Sequence, residues 1–112
     1  MEFQNYSKTR CIGIDVENHS YEMAIMGKQG KSYIYRGKMN AVGRQVLYRK
    51  LRAADKVAMK TGKQTFIMAK EIEASVGCQV YLVNPTCLPL VDIPMDEDGK
   101  KDSLKLACIF NG

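Results

Sequence analysis

Two apolar stretches, CIGIDV and YEMAIMG, are separated by only the four polar residues ENHS. After GKQG a third stretch, KSYIYRG, alternates polar and apolar residues. Period-two alternation and β-branched content are strand signals. Connections as short as ENHS and GKQG suit hairpins and are too short for a crossover. The three strands are therefore expected as an antiparallel meander. No other feature narrows the fold as much.

The remainder switches period. Asn40 is placed to cap a helix whose apolar positions Val42, Val46, Leu47, Leu51 and Ala54 follow a helical spacing. KVAMK is short enough for a fourth strand. Thr61 and Gly62 turn the chain into a second helix, roughly Lys63 to Val76, with Phe66, Ala69, Ile72 and Val76 along one side and Gly77 as its stop. CQVYLVNP, the most apolar segment, reads as a fifth strand ended by Asn84 and Pro85. TCLPLVDIPMDEDG, with its prolines and acidic cluster, reads as irregular. KDSLKLACIF carries Leu104, Ala107 and Cys108 at helical spacing and closes the chain. The order is β-β-β-α-β-α-β-α, which predicts an α/β fold: a mixed sheet with helices packed on its faces and the first strand near its centre.

Length and composition bound the rest. A chain of 112 residues is one domain, here a polar tail over 1–8 and a folded unit over 9–112. An apolar fraction of 46% is enough to build a core. No apolar run approaches the ~18 residues of a membrane span, and the polar start MEFQNYSKTR shows no signal peptide, so a cytoplasmic protein without membrane contact is expected. Cys11, Cys78, Cys87 and Cys108 form no C-x-x-C pair and have no histidine at zinc spacing, so they read as buried small hydrophobes. His19, within ENHS, reads as a solvated loop residue. The net charge of +5 is compatible with nucleic acid but weak evidence alone. Arg44, Arg49, Lys50, Arg52 and Lys56 crowd one segment, which is either a solvated helix face or a phosphate-facing one. Asp92, Asp96, Glu97 and Asp98 crowd another.

Asp15 ends the first apolar stretch, where a strand leaves the core. A buried carboxylate without compensation costs several kcal/mol, so it requires a cation, hydrogen bonds or water. It is either a turn aspartate bonded to the backbone of ENHS or part of a site.

Three later segments bear on that choice. MKTGKQTF, LVNPTCLPL and KKDSLKLA follow GIDV in order. Together the four resemble the N-terminal domain of the DEDD-type bacterial insertion-sequence transposases, relatives of the Piv-type DNA invertases and the RuvC-like Holliday-junction resolvases. The resemblance runs from about Thr9 to Phe110. It implies a ribonuclease H-like fold whose four acidic residues hold two magnesium ions for DNA strand cleavage and transfer in transposition and recombination. Two hard cations about 4 Å apart stabilise the attacking and leaving oxygens at phosphorus, and they require several carboxylates.

Carried over residue by residue, the match is incomplete. The first family aspartate falls on Asp15. The glutamate that ends the fourth strand falls on Lys60. The final pair, spaced i, i+3 ahead of LKLA, falls on Gly99 and Asp102, with Asp98 one residue away as a substitute if the loop shifts. A rival register makes Asp102 the first of the pair and Lys105 the second. Either way two of four acids survive, so magnesium, held by Asp15 and Asp102, would be bound weakly or not at all. The Lys60 ammonium is expected between Asp15 and Asp102, where a metal would stand; the alternative is a strand-end lysine reaching into solvent.

The resemblance also implies DNA as partner, alone or with RNA, leaves homo-oligomers open, and includes a C-terminal domain with no counterpart in this chain. Arg44, Arg49, Arg52, Lys63, Lys100 and Lys101 are the expected phosphate contacts. Two readings follow. One is an impaired strand-cleaving transposase domain; the other is a catalytically silent ribonuclease H-like module that binds nucleic acid, or a transposase relict. IGIDV also resembles the first phosphate loop of actin-like sugar kinases, but those need two such cores and no second phosphate loop is present.

Overall fold

The computed structural model describes residues 9–27, 31–84 and 102–108. Within them every expected element forms: β1 Cys11–Val16, β2 Ser20–Met26, β3 Ser32–Lys38, α1 Ala41–Lys50, β4 Lys56–Lys60, α2 Lys63–Ser75, β5 Gln79–Val83 and α3 Asp102–Cys108. The five strands make one mixed sheet in the order β3-β2-β1-β4-β5. β1 pairs antiparallel with β2, and β2 with β3, as the short turns require. β4 runs parallel to β1, and β5 parallel to β4. β1 is therefore the central strand. The tail over 1–8 and the segment over 85–101, with Cys87, Asp98, Gly99, Lys100 and Lys101, lie outside the described residues.

Alternation along β1 gives the sheet two different faces. Ile12 and Ile14 join Met23, Ile25, Val57 and Met59 beneath α1 and α2, whose Leu47, Met68 and Ile72 complete the core. Each such side chain is worth about 1.5–3 kcal/mol on burial. The opposite face is built from small residues. A Cβ at Gly13 would lie 2.0 Å from the Ser103 carbonyl oxygen and 2.6 Å from the Ala107 nitrogen, so α3 rests directly on the backbone of β1. Leu106 packs there with Ala58 and Val83.

Local signals explain the boundaries of α1 and α2. The Asn40 side chain accepts from the Gly43 N–H at 2.7 Å, capping α1. The Tyr21 hydroxyl donates to the Gly43 carbonyl at 3.0 Å and holds that first turn against β2. At the end of α2, Gly77 takes φ +90°, a backbone region that favours glycine.

Four packing expectations are corrected. Val42 and Val46 are 73% and 42% exposed, while Leu47, Tyr48 and Leu51 are buried. Ala54 lies exposed beyond the helix end. In α2, Phe66 is 56% exposed and the packed row is Thr65, Met68, Ala69 and Ile72. In α3, Ser103, Leu106 and Ala107 are buried, and Leu104 and Cys108 only partly. β5, the most apolar strand, is an edge strand with Tyr81 41% exposed.

An ion pair locks the start of the sheet. Asp55, 2% exposed, accepts from Arg10 Nε at 2.9 Å and Arg10 Nη2 at 2.8 Å, and from the Arg52 N–H at 2.7 Å. Among the described cysteines Cys78 is buried, Cys11 and Cys108 are half-buried, and all three are free thiols. Among the described residues no helix is long and apolar enough to cross a membrane.

Candidate functional site

β1 and β4 are parallel and in register, with Ile14 beside Met59, so their carboxyl ends open at the same edge of the sheet. That places Asp15 next to Lys60. Lys60 Nζ lies 3.6 Å from Asp15 Oδ1, with the side chains 31% and 17% exposed. Two unit charges at ~4 Å attract by about 4 kcal/mol at an effective dielectric near 20. Solvent access reduces the net value to about 1 kcal/mol. Lys60 therefore meets Asp15, one half of the expected arrangement; the Asp102 side chain, the other half, lies outside the described residues.

A second carboxylate faces the first. Glu22 of β2 is the cross-strand partner of Asp15, so the two side chains share the α3 face of the sheet. Like charges directly opposite are unfavourable unless each is compensated. Glu22 Oε2 pairs with Arg36 Nη2 at 2.8 Å, and Glu22 Oε1 accepts from the Ser103 hydroxyl at 2.8 Å. Ser103 is the second residue of α3, which opens at Asp102. The start of α3 is thus tied to the strand adjoining Asp15.

Beside this cluster is an open pocket of about 490 Å³, lined by Asp15, Asn18, Lys60, Gly62, Lys63 and Thr65 among others. The Thr65 hydroxyl donates to the Lys60 carbonyl at 2.6 Å, which fixes the turn from β4 into α2. Gly62 caps α2 without a side-chain hydrogen bond.

Asp15 and Glu22 each already face a positive group, Lys60 and Arg36, and Glu22 also accepts from Ser103. Among the described residues no three His, Cys, Asp or Glu side chains are grouped to hold a metal.

The proposed phosphate contacts separate. Lys63 lines the pocket. Arg44 lies 3.6 Å from Glu71 of α2. Arg49 and Arg52 are exposed near the end of α1, where Arg10 and Asp55 tie the loop to the start of β1. Asp15 is at the other end of that strand, so these arginines do not line its pocket. Sequence reasoning missed Glu22. The signal was the matching period-two rows, Cys11-Gly13-Asp15 and Glu22-Ala24-Met26, which place small residues under α3 and carboxylates at its end. It also missed the Arg10–Asp55 pair, for which 45 residues of separation leave no local signal.

No protein-family model matches the chain, and its sequence finds no match among curated proteins.

Proposed function

We propose that the chain is a ribonuclease H-like, RuvC-like domain of the kind that begins the DEDD-type insertion-sequence transposases, acting as a nucleic-acid-binding module whose cleavage centre is silent. One observation carries the silence: an ammonium, Lys60 Nζ, stands 3.6 Å from Asp15 Oδ1, at the position where the resemblance calls for a glutamate. A carboxylate there would bind a cation; Lys60 replaces the cation. The element order and the central β1, with Asp15 at its carboxyl end, agree with the fold the resemblance implies. The charge of +5 supports a polyanionic partner.

The competing reading, a metal-dependent strand-cleaving domain, draws on the second carboxylate, Glu22, opposite Asp15. Plasmid nicking in Mg²⁺ or Mn²⁺, together with binding measured across salt concentrations, separates the two. A silent module binds with log K falling steeply against log salt and leaves supercoiled plasmid intact. Metal-dependent nicking that Asp15→Ala abolishes would restore the enzyme reading. Absence of binding at low salt, or a flat salt response, would remove the nucleic-acid reading altogether.

A further inference from the structure

Charge along this chain is unevenly placed. Between Met23 and Ala54 there are eight Lys and Arg residues and no Asp or Glu, whereas the remaining nine basic residues are outnumbered by the 12 acids. The acid-free stretch contains β3 and α1, which adjoin one another at one edge of the sheet.

Aromatic surface is exposed on that same stretch. Tyr33 and Tyr35 are 53% and 39% exposed, well above the burial usual for strand tyrosines in a core. Their register partners in β2 are the buried Ile25 and Met23, so both rings stand on the helix-bearing face but on its outermost strand. Two positions apart on a strand, they point the same way at a spacing of ~6.7 Å. Lys50 of α1 lies over the Tyr35 ring, 4.5 Å from its centroid. Lys31, just before β3 and in the same alternating row as the two tyrosines, is exposed.

We propose that this β3–α1 surface binds single-stranded nucleic acid, with Tyr33 and Tyr35 stacking against bases and Lys31 and Lys50 meeting the phosphates. Aromatic platforms within a cationic track suit a strand whose base faces are free, and a duplex hides those faces. A second copy of the chain fits worse, since it would bring the same unbalanced positive charge to the contact. The inference rests on the nucleic-acid-binding reading above but not on the Asp15 pocket, which is lined by the carboxyl ends of β1 and β4 and the start of α2.

The test is fluorescence anisotropy of the full chain against a labelled oligothymidylate of about 20 nucleotides and a duplex of equal length. Tyr33→Ala/Tyr35→Ala is expected to weaken single-strand binding about tenfold or more, and Tyr33→Phe/Tyr35→Phe to retain it. Duplex affinity is expected to change less than about twofold, because phosphate contacts carry it. Should the double alanine variant unfold, Tyr33→Ala alone, at the more exposed ring, is expected to lose about threefold to fivefold. Wild-type affinity in the alanine variants, or an equal loss on duplex, overturns the surface while leaving nucleic-acid binding intact. A wild-type chain that binds neither probe defeats both readings. A wild-type dimer that the tyrosine variants dissociate would assign the surface to a second copy and also overturn the proposal.

Discussion

Asp15 and Glu22 face one another across the β1–β2 pair, and each carboxylate meets a cation of its own, Lys60 at 3.6 Å and Arg36 at 2.8 Å. Two anions side by side on one sheet face would repel; two ion pairs side by side do not. The arrangement balances charge at the exposed end of the central strand without an added ion.

Changing Lys60 should therefore register in stability. Lys60→Met is expected to cost about 1 kcal/mol, the value of a part-exposed pair. Lys60→Glu is expected to cost more, since it adds a third anion beside Asp15 and Glu22. That extra loss should be recovered in Mn²⁺, because three carboxylates gather hard oxygen ligands. Urea midpoints with and without Mn²⁺ measure both effects. A midpoint for Lys60→Glu that does not respond to Mn²⁺ would show that position 60 is not where a cation is held.

Gly13→Ala should detach α3 from the sheet. The new methyl would meet backbone atoms of Ser103 and Ala107 at 2.0 and 2.6 Å, and backbone cannot rotate aside as a side chain can. A loss of about 3 kcal/mol is expected. Hydrogen exchange should rise in α3 and its neighbours while α1 and α2 keep their protection. Unchanged exchange in α3 would contradict the close packing.

The order of elements was legible because each carried its own short-range signal: period-two strands, the Asn40 cap, and the Gly77 stop at φ +90°. Which helix face packs was not. In α1 two apolar rows overlap, Val42-Val46 and Leu47-Leu51, and spacing alone does not rank them. The bond from Tyr21 to the Gly43 carbonyl and the cap on Gly43 fix the rotation, and the first of these is long-range. For α2, Phe66 belonged to the expected row but is exposed under Lys70, whose ammonium lies 5.3 Å from the ring centroid. At the site, Asp15 beside Lys60 was foreseeable because parallel neighbours end together. Glu22 was not, because its place depends on the register that the ENHS turn imposes. Asp98, Gly99, Lys100 and Lys101 lie outside the described residues, as does the Asp102 side chain.

Asp55→Asn should destabilise strongly. The Asp55 side chain is 1% exposed and receives both Arg10 nitrogens and the Arg52 N–H. Neutralising it leaves Arg10, 17% exposed, without its anion. A loss of about 3–5 kcal/mol is expected in chemical denaturation. A change below about 1 kcal/mol would mean that solvent screens the pair.

Stability should fall on the alkaline side. Burial, then the hydrogen bond to Glu71, holds the Tyr48 hydroxyl well above its ordinary pKa of 10.0, and burial raises the Cys78 thiol above 9.0. Both groups stay protonated in the fold but ionise when unfolded. Their contribution is complete below about pH 9 and is lost progressively as pH rises through the unfolded and then the folded values. Tyr48→Phe should cost about 1 kcal/mol at neutral pH and make the alkaline decline shallower. Denaturation midpoints between pH 7 and 11 would show it; parallel curves for the two proteins would contradict the coupling.

The most direct test is a titration of Mn²⁺ into the wild-type chain, followed by electron paramagnetic resonance of the free ion. With the Lys60 ammonium supplying the positive charge at Asp15, the free-ion signal should match buffer at equimolar protein. Two equivalents of Mn²⁺ bound by the wild type, and released by Asp15→Ala, would show that metal and not lysine holds that position.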